Sequence, residues 1–189
     1  WSSRMLLPEQ MKNEMDPVVN RVRQSSLITL KLEELYPAEP IATFDLKDYL
    51  FQGLILREKD FRQALASHDW EQYRGVNLAV GCSADAIIPT WAYMLVGAYA
   101  SEIAHDVFFG AHNDLLVAHY RKELQKMDLE AFRDARVVVK GCSDREIPAA
   151  AFLEISRLLK PVVHSLFFGE PCSTVPVYKR PKTASESQD

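Results

Sequence analysis

From residue 76 to residue 168 the chain alternates four short apolar runs with three stretches of helical spacing. No other sequence feature restricts the fold as much. The runs cover residues 76–80, 106–109, 137–139 and 165–168, and glycines follow them at Gly81, Gly110, Gly141 and Gly169. Helical spacing begins near Pro89, near Asp114 and near Pro148. Short apolar strands separated by helices of about 10–15 residues read as parallel β-α-β units with both sheet faces covered. The expected fold is therefore α/β, a single domain with a short parallel sheet of about four strands flanked by helices. A flavodoxin-like order, 2-1-3-4, would make the strands that precede Cys82, Cys142 and Cys172 adjacent. It would also place a ligand-binding switch point between the first two of these.

Upstream, Leu27, Ile28, Leu30 and Leu32 have strand-like alternation, and residues 41–44 read as a second strand pairing with the first. The spacing of Leu50, Leu54, Phe61 and Leu65 predicts a helix over residues 46–66 with Asp45 as its cap. These elements form an N-terminal strand and helix extension on the domain. Residues 1–16 read as a tag or flexible arm, with a short helix over 17–24. The domain spans 17–179, and 180–189, with Arg, Pro, Lys, Ser and Glu and no large apolar residue, read as a disordered tail.

Hydrophobic residues make up 48% and charged residues 25%, as in ordinary globular chains. The net charge of −4 and a pI near 5.8 argue against nucleic-acid binding through overall charge. No run approaches the roughly 18 apolar residues needed to cross a bilayer. The longest candidate, residues 84–100, is broken by Asp85, Pro89, Thr90 and Gly97. No charged-then-apolar leader opens the sequence, so the cytoplasm is the expected compartment.

Three segments rhyme: Gly81-Cys82-Ser83 before Pro89, Gly141-Cys142-Ser143 before Pro148, and Gly169-Glu170-Pro171-Cys172-Ser173 before Pro176. Each sets Cys-Ser just after an apolar run. Any one of these cysteines has an ordinary reading as a small buried hydrophobe. Together, at three strand ends, they suggest a convergent thiolate site, and thiolates suit zinc or an iron–sulfur cluster. The separations of 60 and 30 residues exclude a zinc finger, whose ligands come as close-spaced pairs. A fourth ligand could be His112, on the carboxyl side of the sheet. Ser83, Ser143, Ser173, Asp85, Asp144 and Glu170 could orient the bound group. Asp85 and Asp144 read equally well as helix N-caps. Cys142-Ser143-Asp144-Arg145 only partly matches the zinc loop of β-class carbonic anhydrases: its Arg comes one residue early and no His-x-x-Cys follows. No Gly-x-Gly-x-x-Gly or phosphate loop occurs.

Three segments carry a family resemblance: Asp48-Tyr49-Leu50-Phe51-Gln52-Gly53-Leu54-Ile55-Leu56-Arg57-Glu58-Lys59-Asp60-Phe61-Arg62, the stretch from Cys82 to Met94, and Phe168-Gly169-Glu170-Pro171-Cys172-Ser173-Thr174-Val175-Pro176. Over residues 11–179 the chain resembles a bacterial domain-of-unknown-function family. Genes of that family often lie beside those of sulfur mobilisation for iron–sulfur cluster assembly. The resemblance carries over no site residues but favours the convergent-thiol reading, so the leading expectation is an accessory protein that holds a metal or iron–sulfur cluster through Cys82, Cys142 and Cys172, with cluster-assembly proteins as partners. A small zinc-dependent or thiol/persulfide enzyme using the same pocket is the alternative. An interaction module with buried structural thiols is the third reading.

Overall fold

The computed structural model describes residues 27–170 and 172–181. Its elements are β1 (Leu27–Leu30), β2 (Ile41–Asp45), α1 (Glu58–Ser67), β3 (Asn77–Gly81), α2 (Thr90–Ala100), β4 (Asp106–Phe109), α3 (His112–Gln125), β5 (Arg136–Val139), α4 (Ala149–Leu159), β6 (Ser165–Glu170) and β7 (Ser173–Lys179). Single 3-10 turns cover Leu32–Leu35, Leu46–Tyr49, Trp70–Tyr73 and Leu129–Phe132. The expected arm over 1–16 and helix over 17–24 lie outside the described residues.

The α/β class holds, with the four apolar runs as β3, β4, β5 and β6. The strand order differs from the flavodoxin-like expectation. The strands form two sheets, β2-β3-β4 and β1-β5-β6-β7, so β3 and β5 are not neighbours. Nor does β2 pair with β1. Each upstream strand instead runs parallel to a different partner, Ile41 beside Asn77 and Leu27 beside Arg136. The first sheet is wholly parallel, and only β7, a hairpin return along β6, is antiparallel. The expected helix over 46–66 is a 3-10 turn and an α-helix separated by residues 50–57, where Gln52 and Gly53 take positive φ. Asp45 does cap the turn, its carboxylate accepting from Lys47 N–H at 3.0 Å.

The physical reason for two sheets is an internal duplication. Residues 58–110 and 117–169 correspond at a constant spacing of 59, from Phe61 and Tyr120 to Gly110 and Gly169. Asp69 and Asp128 cap matching 3-10 turns, and Glu71–Arg74 and Glu130–Arg133 are matching ion pairs. Gly75 and Asp134 both take positive φ just before β3 and β5. Strands β1 and β2, each followed by a 3-10 turn, correspond at a spacing of 14. Each half thus has the order strand, 3-10 turn, helix, 3-10 turn, strand, helix, strand. Because β1 joins β5, the second half is split, and the first half lies between its pieces.

Each half has its own core. Buried Ala92, Val96 and Ala100 stripe α2, and Ala151, Ile155 and Leu159 stripe α4, both at helical i, i+4 spacing. Phe61 and Leu65 of α1 match Tyr120 and Leu124 of α3, all nearly inaccessible. The Tyr120 hydroxyl donates to the Leu32 carbonyl at 3.0 Å and so ties α3 to the turn after β1. Arg180, expected from sequence to lie in the tail, is anchored to the domain, and residues 182–189 lie outside the described residues. Arg180 N–H donates to His164 O at 2.9 Å, and its guanidinium pairs with Asp134 and reaches the Val162 and Val163 carbonyls.

Candidate functional site

Parallel sheets bind ligands beyond the carboxyl ends of their strands, where loops diverge and backbone groups are free. A cavity of about 270 Å³ occupies that position in the first sheet. Thr43 and Asp45 come from the end of β2, Gly81, Cys82 and Ser83 from the end of β3, and Phe109, Gly110 and Ala111 from the end of β4. Tyr93 of α2 and Asp114 of α3 complete the wall.

Backbone donors fix both carboxylates. Asp45 Oδ1 accepts from the N–H groups of Lys47 and Ser83, each at 3.0 Å. Burial opposes the Asp45 charge, but hydrogen bonds from Ser83 and Lys47 outweigh it and hold the carboxyl below its ordinary range. Asp114 Oδ2 accepts from Ala111 N–H at 2.8 Å, which closes the first turn of α3. Gly110, at φ 109°, turns the chain sharply between β4 and α3. A Cβ there would lie 2.5 Å from that same carboxylate oxygen. Close packing extends to Gly81, where a Cβ would come within 2.9 Å of the Gly110 carbonyl.

The Cys82 thiol is half-buried and donates weakly to Ala84 O at 3.7 Å. Burial, and then the neighbouring Cys82, raise the Tyr93 hydroxyl above its usual pKa. Tyr93 meets the Phe109 ring edge-on at 5.1 Å. Among the described residues no Lys or Arg lines the cavity. The site is thus an anionic pocket with one soft nucleophile, the hydroxyls of Thr43, Ser83 and Tyr93, and an aromatic wall.

Of the residues expected from sequence, only Cys82 and Ser83 reach this cavity. Cys142 is exposed in the loop after β5, and Cys172 is exposed at the turn between β6 and β7. Among the described residues, no group of three or more His, Cys, Asp or Glu side chains is arranged to hold a metal ion. His112 is an exposed first residue of α3, and Ser173 is exposed at the start of β7. Asp85 and Asp144 sit in exposed loops and cap nothing, because Pro89 and Pro148 occupy the N-cap positions of α2 and α4. Ser143 Oγ accepts from Arg145 N–H at 3.0 Å, within its own loop. Glu170 ends β6 with one buried carboxylate oxygen unpartnered.

The Cys-Ser rhyme is out of step with the duplication. At the 59-residue spacing Cys82 matches Gly141, and Ser83 matches Cys142. The third rhyme belongs to a different element, because Gly169 matches Gly110 rather than Gly81. The residues missed were Asp45, Tyr93 and Asp114. Their signal lay at the ends of β2 and β4, and it could be used only once β2 was placed beside β3.

Fold and site together define an internally duplicated α/β protein with one open pocket at the carboxyl edge of its first sheet. The chain belongs to the family described as Protein of unknown function (DUF2480), which it matches over residues 16–180. No curated protein and no solved structure matches it. Among the described residues no helix is long and apolar enough to cross a membrane.

Proposed function

We propose that the protein binds a small, positively charged or hydroxyl-bearing molecule in the cavity formed by the ends of β2, β3 and β4. The observation that carries this reading is the lining. The low-pKa Asp45 and the fixed Asp114 face an aromatic ring and a thiol, with no basic side chain among the described residues of the wall. Ligand sites combine apolar surface with a few fixed polar groups, and about 270 Å³ suits a compact molecule. The carboxylates spend part of their hydrogen-bonding capacity on backbone N–H groups. This orients them while leaving lone pairs for an ammonium or hydroxyl donor. Cys82 would touch the ligand. Cys142 and Cys172 take no part.

Charge preference at the thiol tests the proposal. Cys82 should react faster with an ammonium-bearing methanethiosulfonate than with a sulfonate-bearing one, and this preference should exceed that at exposed Cys142 in the same molecule. Peptide mapping by mass spectrometry reads both sites in one sample. Asp45→Asn should bring the Cys82 preference down to the Cys142 value. Equal preference at the two cysteines in the wild type would remove the proposal.

A further inference from the structure

We propose that β4 is a dimerisation edge, pairing antiparallel with β4 of a second copy of this chain. The duplication shows how such an edge is completed. In the second half the corresponding strand, β6, carries β7 along its outer side, Phe168 beside Val175 and Leu166 beside Tyr178. In the first half β4 pairs only with β3 among the described residues. Its outer backbone groups are a template for another strand.

Along this edge Asp106, Val107 and Phe108 are half-buried and Phe109 is open. Phe109 is 73% exposed, whereas its counterpart Phe168, under β7, is 40% exposed. Met94 on α2 and Leu153 on α4 correspond, and both are 75% exposed. Leu153 shares a groove with Phe168 and Val177 of β7, so Met94 borders the place where a β7 equivalent would lie. No charged residue occurs from residue 86 to residue 101, a stretch that includes all of α2. Its counterpart around α4 carries Glu154, Arg157 and Lys160. An uncharged helix face beside an open strand edge is self-complementary.

The symmetry fits a second copy. A two-fold axis through the edge makes β4 antiparallel to its mate, the sense in which β7 runs along β6, and such an isologous pairing closes without forming fibres. Pairing centred between Val107 and Phe108 sets Asp106 opposite Phe109 of the partner subunit, so no like charges face each other. Asp106 is already neutralised by Lys122 at 2.6 Å. The joined sheet would have six strands. The partner's strand would also stand beside Phe109, giving the ligand cavity a second wall on its open side.

Sedimentation of the full chain and amide hydrogen exchange test this together. Wild type should shift from monomer to dimer across roughly the micromolar range, with slower exchange at Val107, Phe108 and Phe109 at high concentration. Met94→Lys should weaken dimerisation at least tenfold. Leu153→Lys, at the equally exposed counterpart beside β7, should leave it unchanged. A wild type that stays monomeric at several hundred micromolar would overturn the proposal. So would a dimer weakened by Leu153→Lys and not by Met94→Lys. Exchange at β4 that is slow at every concentration would assign the edge to other residues of the same chain, and would overturn it too. None of these readouts depends on the cavity binding a ligand.

Discussion

The two halves share a backbone plan and differ in what fills it. Around β2 and β3, Phe44 stacks on Tyr49 and on Trp70, Trp70 stacks on Tyr99, and His68 sits edge-on to Phe44 and Trp70. The Tyr49 hydroxyl lies 3.2 Å from His68 Nδ1. The matching positions around β1 and β5 are Leu30, Leu35, Leu129, Leu158 and Met127. One half is therefore organised by rigid rings with directional contacts, the other by flexible aliphatic chains. The carboxyl ends differ in the same way. In the second half the Phe168 ring lies on Gly141, so close that a Cβ there would be 2.7 Å from it. The first half has Cys82 at that position, and Phe109 turns outward. A side chain where its counterpart has none leaves the first cavity open. Duplication kept the scaffold, and at this carboxyl end the copies differ by a thiol in the first and no side chain in the second.

Exchanging residues between the halves tests how far this contrast goes. The largest effect is expected for Trp70→Leu, which installs the residue of the second half at position 129. It removes two ring stacks and the indole N–H bond to Leu65 O at 2.9 Å. Chemical denaturation should show a loss on the order of 3 kcal/mol. A loss below about 1 kcal/mol would mean that the aromatic cluster is interchangeable with an aliphatic one.

Tyr120→Phe makes the second half resemble the first at Phe61. It removes the hydroxyl's bond to the Leu32 carbonyl, at a cost of about 0.5–1.5 kcal/mol. Burial, with Tyr36 and Glu33 nearby, pushes the Tyr120 pKa up to about 12. A raised folded-state pKa gives stability that is complete below pH ~10 and is lost as pH rises from there towards 12. Thermal melts should therefore show an alkaline decline over that window, and the decline should be shallower in Tyr120→Phe.

The pocket contrast predicts a reciprocal pair. Cys82→Gly should let the Phe109 ring fall inward and close the cavity. Gly141→Cys should displace Phe168 at a cost of about 1–3 kcal/mol. Ring-current shifts in NMR spectra would report both movements. If Phe109 stays outward in Cys82→Gly, the thiol is not what holds the cavity open. The smallest effects belong to the matched surface pairs. Glu71→Gln and Glu130→Gln should leave the unfolding midpoint indistinguishable from wild type, because exposed ion pairs contribute little.

The element pattern was legible because short apolar runs mark strands covered on both faces, as in β3 and β5, and i, i+4 spacing marks the buried stripes of α2 and α4. The pairing of β1 and β2 was not. Four- and five-residue strands separated by Tyr36-Pro37-Ala38-Glu39-Pro40 look like neighbours, and nothing local shows that each belongs to a strand far along the chain. The site was obscured by a literal likeness. Gly-Cys-Ser recurs as text, yet the second copy is shifted by one position, so Cys142 faces solvent while Gly141 lies beneath a ring. Asp45 was read as a cap, which it is. Its second role towards Ser83 depends on a contact 38 residues away.

The nesting of one half inside the other bears on how the chain matures on the ribosome. Residues 41–110 hold every strand of the first sheet, so its strand pairing can close while the remainder is still being made, although Ala79 of β3 is covered only once Leu115 and Leu116 of α3 follow. The second sheet needs Leu27 to meet Arg136 across more than a hundred residues, and it cannot form until nearly the whole chain has emerged. Synthesis therefore runs from an inner sheet whose strands pair early to an outer one that closes last. Moving residues 27–36 to a point just before α3 would turn the nest into a plain tandem array, with the late long-range closure replaced by a local one.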